Sequence, residues 1–314
     1  MIGRAFTVRW LFVMIACFVS PVLLRPDDWT VKVRELIRRK ELATAEKLVV
    51  EKLVSSPRNP QLITFLAEVR FDQRRYQEAS QLIKSADGLA GPSVERATLA
   101  GLVAVVQGRL DAAEPKFRES IRLDPGFAPA HYYLSRLLYT QNHFDEAIRE
   151  SKTTIALSPD FVRAYENLGL CHEGKQEFAE AEKWYKEAIR RGEALGQISE
   201  WPYLDLAAML IRNGRDKEAR PYLVKALAAN SRNPESHFQM GYLLEKEGDL
   251  SGAVRELELA SELDPAKPEP YYREARIYQR LGKTELAKKY FDAFRETSEV
   301  QHKPAQRSPE EFSH

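Results

Sequence analysis

The sequence predicts an all-α fold, a solenoid assembled from eight short repeats. Three observations carry that reading. An alanine recurs with a 34-residue period, and a small residue recurs twelve positions before it. Helix-forming Ala, Leu, Glu, Lys and Arg dominate, while β-branched runs are few and short.

Composition narrows the function classes first. The chain has 314 residues, 44% hydrophobic and 30% charged, with a formal net charge of +1. So balanced a chain carries no global field to recruit nucleic acid or an anionic membrane surface. Of the two cysteines, Cys17 lies in an apolar leader and Cys171 in a repeat, so no disulfide framework is expected. No Cys/His spacing matches a zinc site, and neither metal nor cofactor is expected.

The first element is the leader, residues 1–25. Arg4 and Arg9 precede an uncharged run from Trp10 to Leu24. Fifteen residues rise about 22 Å as a helix, short of the roughly 30 Å hydrocarbon core. Pro21 would break the last turn. Three readings stand: a cleaved export signal, a short uncleaved anchor, and a lipoprotein leader modified at Cys17. No clean small-x-small cleavage site is present, and Phe18 and Val19 fit a lipidation site poorly. Each reading exports the chain, leaving it periplasmic or held to a membrane by its N-terminus.

The repeats occupy residues 26–297 and start near 26, 60, 94, 128, 162, 200, 234 and 268. With Pro26 as position 1, position 20 is Ala45, Ala79, Ala113, Ala147, Ala181, Ala219, Ala253 and Ala287. Position 8 is small in seven of eight: Ala67, Gly101, Ser135, Gly169, Ala207, Gly241 and Ala275, with Val33 the exception. Position 32 carries Pro57, Pro125, Pro159 and Pro265. A four-residue insertion within Arg191–Ser199, containing Gly192 and Gly196, predicts a bend in the stack. Periodicity fades after Glu296, so residues 298–314 are read as a disordered tail.

This pattern resembles the tetratricopeptide repeat family: an aromatic at position 4, Leu and a small residue at 7 and 8, Ala at 20, an aromatic near 24 and Pro at 32. The repeat from Val162 carries it as Tyr165, Leu168-Gly169, Ala181 and Tyr185. In the first repeat Trp29 takes the family's tryptophan place, with Asp27 or Asp28 as its N-cap. The resemblance implies two antiparallel helices per repeat, stacked into a right-handed superhelix. Small residues at 8 and 20 then allow close backbone approach, and glycines at position 15 (Gly108, Gly214, Gly248, Gly282) suit a positive-φ turn. Lys32 and Glu274 replace Leu at position 7 of the end repeats, which reads as polar capping.

Two segments resemble chemistry. Gly282-Lys283-Thr284 echoes a phosphate loop, but Ile277 stands where that motif needs glycine and no strand precedes it. Cys171-His172-Glu173 lies on one helix, where neighbours diverge by about 100° and cannot converge on one atom. Position 11 holds Tyr in the family, so His172 reads as a packing residue beside a buried thiol. His131 and His237 stand at position 4 with Tyr165, Tyr203 and Tyr271, where ring shape is the shared property. The chain is therefore read as non-enzymatic.

The resemblance also places positions 2, 5, 9, 12 and 13 on the concave face. It puts there Tyr132, Arg136 and Tyr139; Trp201, Leu204 and Ile211; Phe238 and Tyr242; Tyr272, Arg276 and Arg280. Aromatic and arginine side chains are enriched at binding hot spots, although several rings could instead pack on the next repeat. The Lys/Asn pair of the family's carboxylate clamp is absent, and its position-6 asparagine ladder is represented by Asn167 alone. The expectation is an apolar and cationic groove for a partner segment carrying aromatic and acidic residues. That makes the chain a cell-envelope adaptor, or alternatively a self-associating spacer or the regulatory subunit of an envelope enzyme or export complex. Any membrane contact runs through the leader alone; partner identity and oligomeric state stay open.

Overall fold

The computed structural model describes residues 29–302, so the leader, the N-cap aspartates and the end of the tail lie outside the described residues. Sixteen helices follow one another in pairs. The first four pairs are α1 (Trp29–Arg38) with α2 (Leu42–Ser55), α3 (Pro60–Asp72) with α4 (Tyr76–Ala90), α5 (Val94–Val106) with α6 (Leu110–Leu123), and α7 (Ala128–Thr140) with α8 (Phe144–Leu157). The last four are α9 (Val162–Gly174) with α10 (Phe178–Leu195), α11 (Trp201–Arg212) with α12 (Asp216–Ala229), α13 (Pro234–Glu247) with α14 (Leu250–Leu263), and α15 (Pro268–Arg280) with α16 (Thr284–His302). Each first helix packs on its own second helix and on the neighbouring pairs, and the core runs as a chain of clusters along the stack. This is an all-α solenoid of helix-turn-helix repeats.

Position 8 explains the close pairing. A Cβ on Gly101 would sit 2.5 Å from the Phe117 ring, and one on Gly169 2.5 Å from the Tyr185 ring. At Gly241 it would lie 2.8 Å from Leu257. Small residues are thus the sockets for the large side chain at position 24 of the same repeat. The alanines at position 20 are all buried.

The turn between paired helices uses positive φ in every repeat. Gly108, Gly214, Gly248 and Gly282 adopt it, and so do Lys40 (60°), Arg74 (61°), Asn142 (61°) and Gln176 (62°). In most of these turns the next amide donates back five residues, as from Arg109 to Ala104 at 2.9 Å and from Lys283 to Tyr278 at 2.9 Å. That bond satisfies a carbonyl the ending helix would leave unpaired, which is why the left-handed residue is tolerated without glycine.

Position 4 has a second job besides shape. In four repeats the ring reaches back six residues to a carbonyl at the preceding inter-repeat turn, whereas Tyr203 donates to the Glu193 carboxylate at 2.8 Å. His131 Nε2 lies 3.1 Å from Pro125 O, and His237 Nε2 3.0 Å from Ser231 O. The Tyr165 hydroxyl donates to Pro159 O at 3.0 Å, and that of Tyr271 to Pro265 O at 3.4 Å. Each histidine also holds a glutamate through Nδ1, Glu150 at 2.6 Å and Glu256 at 2.7 Å.

Two expectations change, and the insertion takes a definite form. The insertion, expected to bend the stack, is taken up in helix: α10 has 18 residues where α8 and α12 have 14, so the extra four form another helical turn. It closes on Gly196 in the left-handed region, φ 65°. The last helix continues past residue 297 to His302, because its second half keeps Phe294 and Thr297 half-buried. Glu274 is no solvent-facing cap; it is fully buried, since α14 and α16 enclose it, whereas Lys32 is exposed as expected.

Candidate protein-binding groove

The first helices of the fourth to seventh repeats line two adjoining clefts. One, of about 370 Å³, is bounded by Tyr139, Glu173, Trp201, Asp205 and Arg212. The other, of about 740 Å³, is bounded by Arg136, Glu166, Trp201, Asp205, Glu235 and Lys267. Trp201 and Asp205 belong to both, so the clefts form one groove.

The eleven residues predicted for this face divide into two sets. Tyr132 and Leu204 are each 2% exposed and belong to the core. Tyr132 packs on Phe161, the N-cap residue of α9, at 4.8 Å between ring centroids, under the guanidinium of Arg163. Ile211 is likewise buried. Arg136, Tyr139 and Trp201 are half-buried and line the clefts. Phe238 and Tyr242 stack against Arg273, whose guanidinium lies 3.9 Å from the Tyr242 ring centroid. Tyr272, Arg276 and Arg280 continue the face onto the last repeat, with Arg276 over the Tyr272 ring and Arg280 3.7 Å from Glu245.

The expectation of an apolar, cationic groove is corrected by its carboxylates. Glu166, Glu173, Asp205 and Glu235 line the same clefts as the aromatics. Glu173 pairs with Arg212 and accepts from the Tyr185 hydroxyl at 2.7 Å. Glu235 pairs with Lys267, and Glu200 accepts from Asn230 at 2.8 Å. Burial pushes the Glu166 carboxyl up to about 7, opposed by Arg136 and Arg163 and reinforced by Glu200. Burial also raises Asp205 well above the ordinary carboxylate range, with Glu166 and Glu173 adding to the effect. Glu166 stands at position 5, Glu173 at position 12 and Glu235 at position 2, so the 34-residue frame itself assigns them to this face. Rings and arginines stand out at a concave position in sequence, whereas carboxylates at the same positions do not.

Asn167 does not face the groove. It is buried, donating to Ser135 at 2.6 Å and Ser151 at 3.0 Å across the repeat junction. Cys171 and His172 also stay apart chemically. His172 Nδ1 contacts Glu177 at 2.6 Å, and burial pushes the Cys171 thiol up to about 12, so its thiolate is negligible at neutral pH. Among the described residues no group of His, Cys, Asp and Glu could hold a metal ion.

Models of the family described as tetratricopeptide repeat match residues 134–195, 204–268, 104–154 and 268–294. The chain is a tetratricopeptide repeat protein. This tetratricopeptide repeat chain is 24% identical over 299 residues to the CTR9 homolog of Arabidopsis thaliana, covering 82% of itself and 27% of that protein. It is 30% identical over 165 residues to ETO1-like protein 2 of the same plant, covering 52% of itself and 17% of the relative. The chain thus spans well under half the length of these relatives. Among solved structures it resembles the APC/C hetero-tetramer Cut9–Hcn1, with TM-score 0.69 and 15% identity over 89% of this chain and 54% of that one. A tetratricopeptide repeat protein from Parabacteroides merdae aligns with TM-score 0.60 and 15% identity, covering 84% of this chain and 97% of the other. At such identities the likeness is one of fold.

Proposed function

We propose that this protein is a non-enzymatic adaptor that holds a segment of a partner protein along the concave face of its fourth to eighth repeats. One observation carries the reading. Half-buried Tyr139 and Trp201 flank a continuous groove too wide for its own side chains to fill. Aromatic side chains are enriched at the centres of protein interfaces, where binding hot spots cluster.

The finer proposal places this adaptor in the cell envelope, exported or anchored by its N-terminus. Its support is the leader sequence: Arg4 and Arg9 ahead of the uncharged Trp10–Leu24 run. Fractionation of cells making the full chain, with and without residues 1–25, tests it; identical distribution of the two forms would end the envelope reading.

The adaptor reading is tested by co-purification of the full chain beside a Tyr139→Ala/Trp201→Ala variant. Tyr132 is left intact because its loss would damage the stack. A stoichiometric partner present with the wild type and absent from a folded variant is the expected result. Equal recovery by both forms would refute the groove as the binding surface.

A further inference from the structure

The carboxylates of the groove are unevenly partnered. The larger cleft is lined by five acids, Glu166, Glu200, Asp205, Glu235 and Asp264, against three cations, Arg136, Arg232 and Lys267. Glu235 is taken by Lys267, and Glu200 by the amides of Asn230 and Asn233 at 2.8 and 3.3 Å. Among the described residues Glu166 and Asp205 receive no hydrogen bond and form no ion pair. Glu166 is 9% exposed, yet it lines the cleft. A carboxylate so desolvated and without a donor is costly unless a charge arrives to meet it.

The groups around this pair come from four elements, among them α10, whose Tyr185 hydroxyl lies near Asp205. On α7 stands Arg136, whose charge favours ionisation of both acids; on α9 stand Arg163, near Glu166, and Glu173, near Asp205. From α11 and its N-cap come Glu200, near Glu166, and Arg212, near Asp205. Glu173 and Arg212 already neutralise each other, so Asp205 and Glu166 share Arg136, with Arg163 near Glu166 lying over the Tyr132 and Phe161 rings. Trp201 lies in the same cleft, offering the aromatic face that a cation also favours.

We propose that Glu166 and Asp205 form a cation-recognition pocket that takes the lysine or arginine side chain of a partner's extended segment. The proposal rests on the adaptor reading and names the chemistry of its ligand: a basic residue flanked by apolar ones that reach Trp201 and Tyr139. The chain's net charge of only +1 means that such attraction is local to the groove. Because burial holds Glu166 protonated up to about pH 7, a bound cation would draw the proton off, and affinity should rise with pH.

The test uses the full chain and fluorescent hexalysine, read by anisotropy at physiological salt. Expected are saturable binding, a gain of about tenfold between pH 6 and pH 8, and loss of about tenfold or more in Glu166→Gln/Asp205→Asn. A Glu51→Gln control, altering an exposed acid on α2, should bind as wild type. Hexaglutamate should not compete. Hexalysine binding that ignores the double substitution, or that falls with rising pH, would overturn the proposal. So would preferential binding of spermidine, a free polycation without a peptide backbone. The unmodified protein's pH profile stands even if the double variant misfolds. A co-purifying partner lost in Tyr139→Ala/Trp201→Ala, with no hexalysine binding, would sink the cation pocket and leave the adaptor standing.

Discussion

Glu274→Gln should stabilise the last repeat, and only above acidic pH. Position 7 holds leucine in four of the eight repeats, and Glu274 occupies it in the eighth. The side chain is fully buried, and neither carboxyl oxygen has a hydrogen-bond partner among the described residues. The hydroxyls of Tyr278 and Tyr290 go instead to Glu258, at 3.3 and 3.4 Å. Burial raises the Glu274 pKa from 4.5 to about 8, with Glu258 and Glu262 adding and Lys289 and the nearby Tyr290 hydroxyl opposing. The folded state therefore holds this proton more tightly than the unfolded chain. Stability is undiminished below 4.5 and falls as pH rises toward 8. At 1.36 kcal/mol per unit, the penalty is about 3 kcal/mol at pH 7 and about 5 kcal/mol above pH 8. Glutamine keeps the shape of the protonated acid and cannot ionise, so it isolates this contribution.

Repeat arrays open from their ends, so local opening is the right observable. Hydrogen exchange of α15 and α16, corrected for intrinsic rates, should show little difference between wild type and Glu274→Gln at pH 5. By pH 7 the variant's opening free energy should be higher by about 3 kcal/mol. A wild-type-to-variant gap that is the same at pH 5 and pH 8 would refute the reasoning. Exchange in α3 to α6, far from the substitution, should not change.

Other perturbations follow from the packing. Gly169→Ala drives a methyl into the Tyr185 ring and should cost about 1–3 kcal/mol in urea unfolding. Gln176→Gly relieves a left-handed residue and should raise stability by about 1 kcal/mol, while Gly214→Gln should lower it by a similar amount. Tyr132→Ala should destabilise by about 3–5 kcal/mol, as expected for a core ring, whereas the half-buried Trp201→Ala should lower the melting temperature clearly less.

Much of this architecture is legible in residue spacing. The helices after the first begin their repeats at Pro60, Val94, Ala128 and Val162, and at Trp201, Pro234 and Pro268, close to the frame set by the alanines. That follows because position 20 is a backbone contact that admits one side-chain size. The groove was less legible for a different reason. The frame says which way a residue points but not how deep the neighbouring repeat covers it, so Tyr132 and Tyr139, both read as concave, separate into core and wall only in three dimensions. Glu274 misled because a polar residue at an end repeat looks like solvent exposure, and only the enclosing α14 and α16 reverse that. The positive φ at Lys40, Arg74, Asn142 and Gln176 had no glycine to announce it.

The ring-to-carbonyl ties are not spread evenly along the chain. His131, Tyr165, His237 and Tyr271 clasp the turn before them, while position 4 of the second and third repeats holds Ile63 and Ala97, which have no group to clasp with. The solenoid is therefore a spring of unequal stiffness. Pulled from its two ends, it should yield first between its early repeats and lengthen there, while the groove-bearing half keeps its curvature under load.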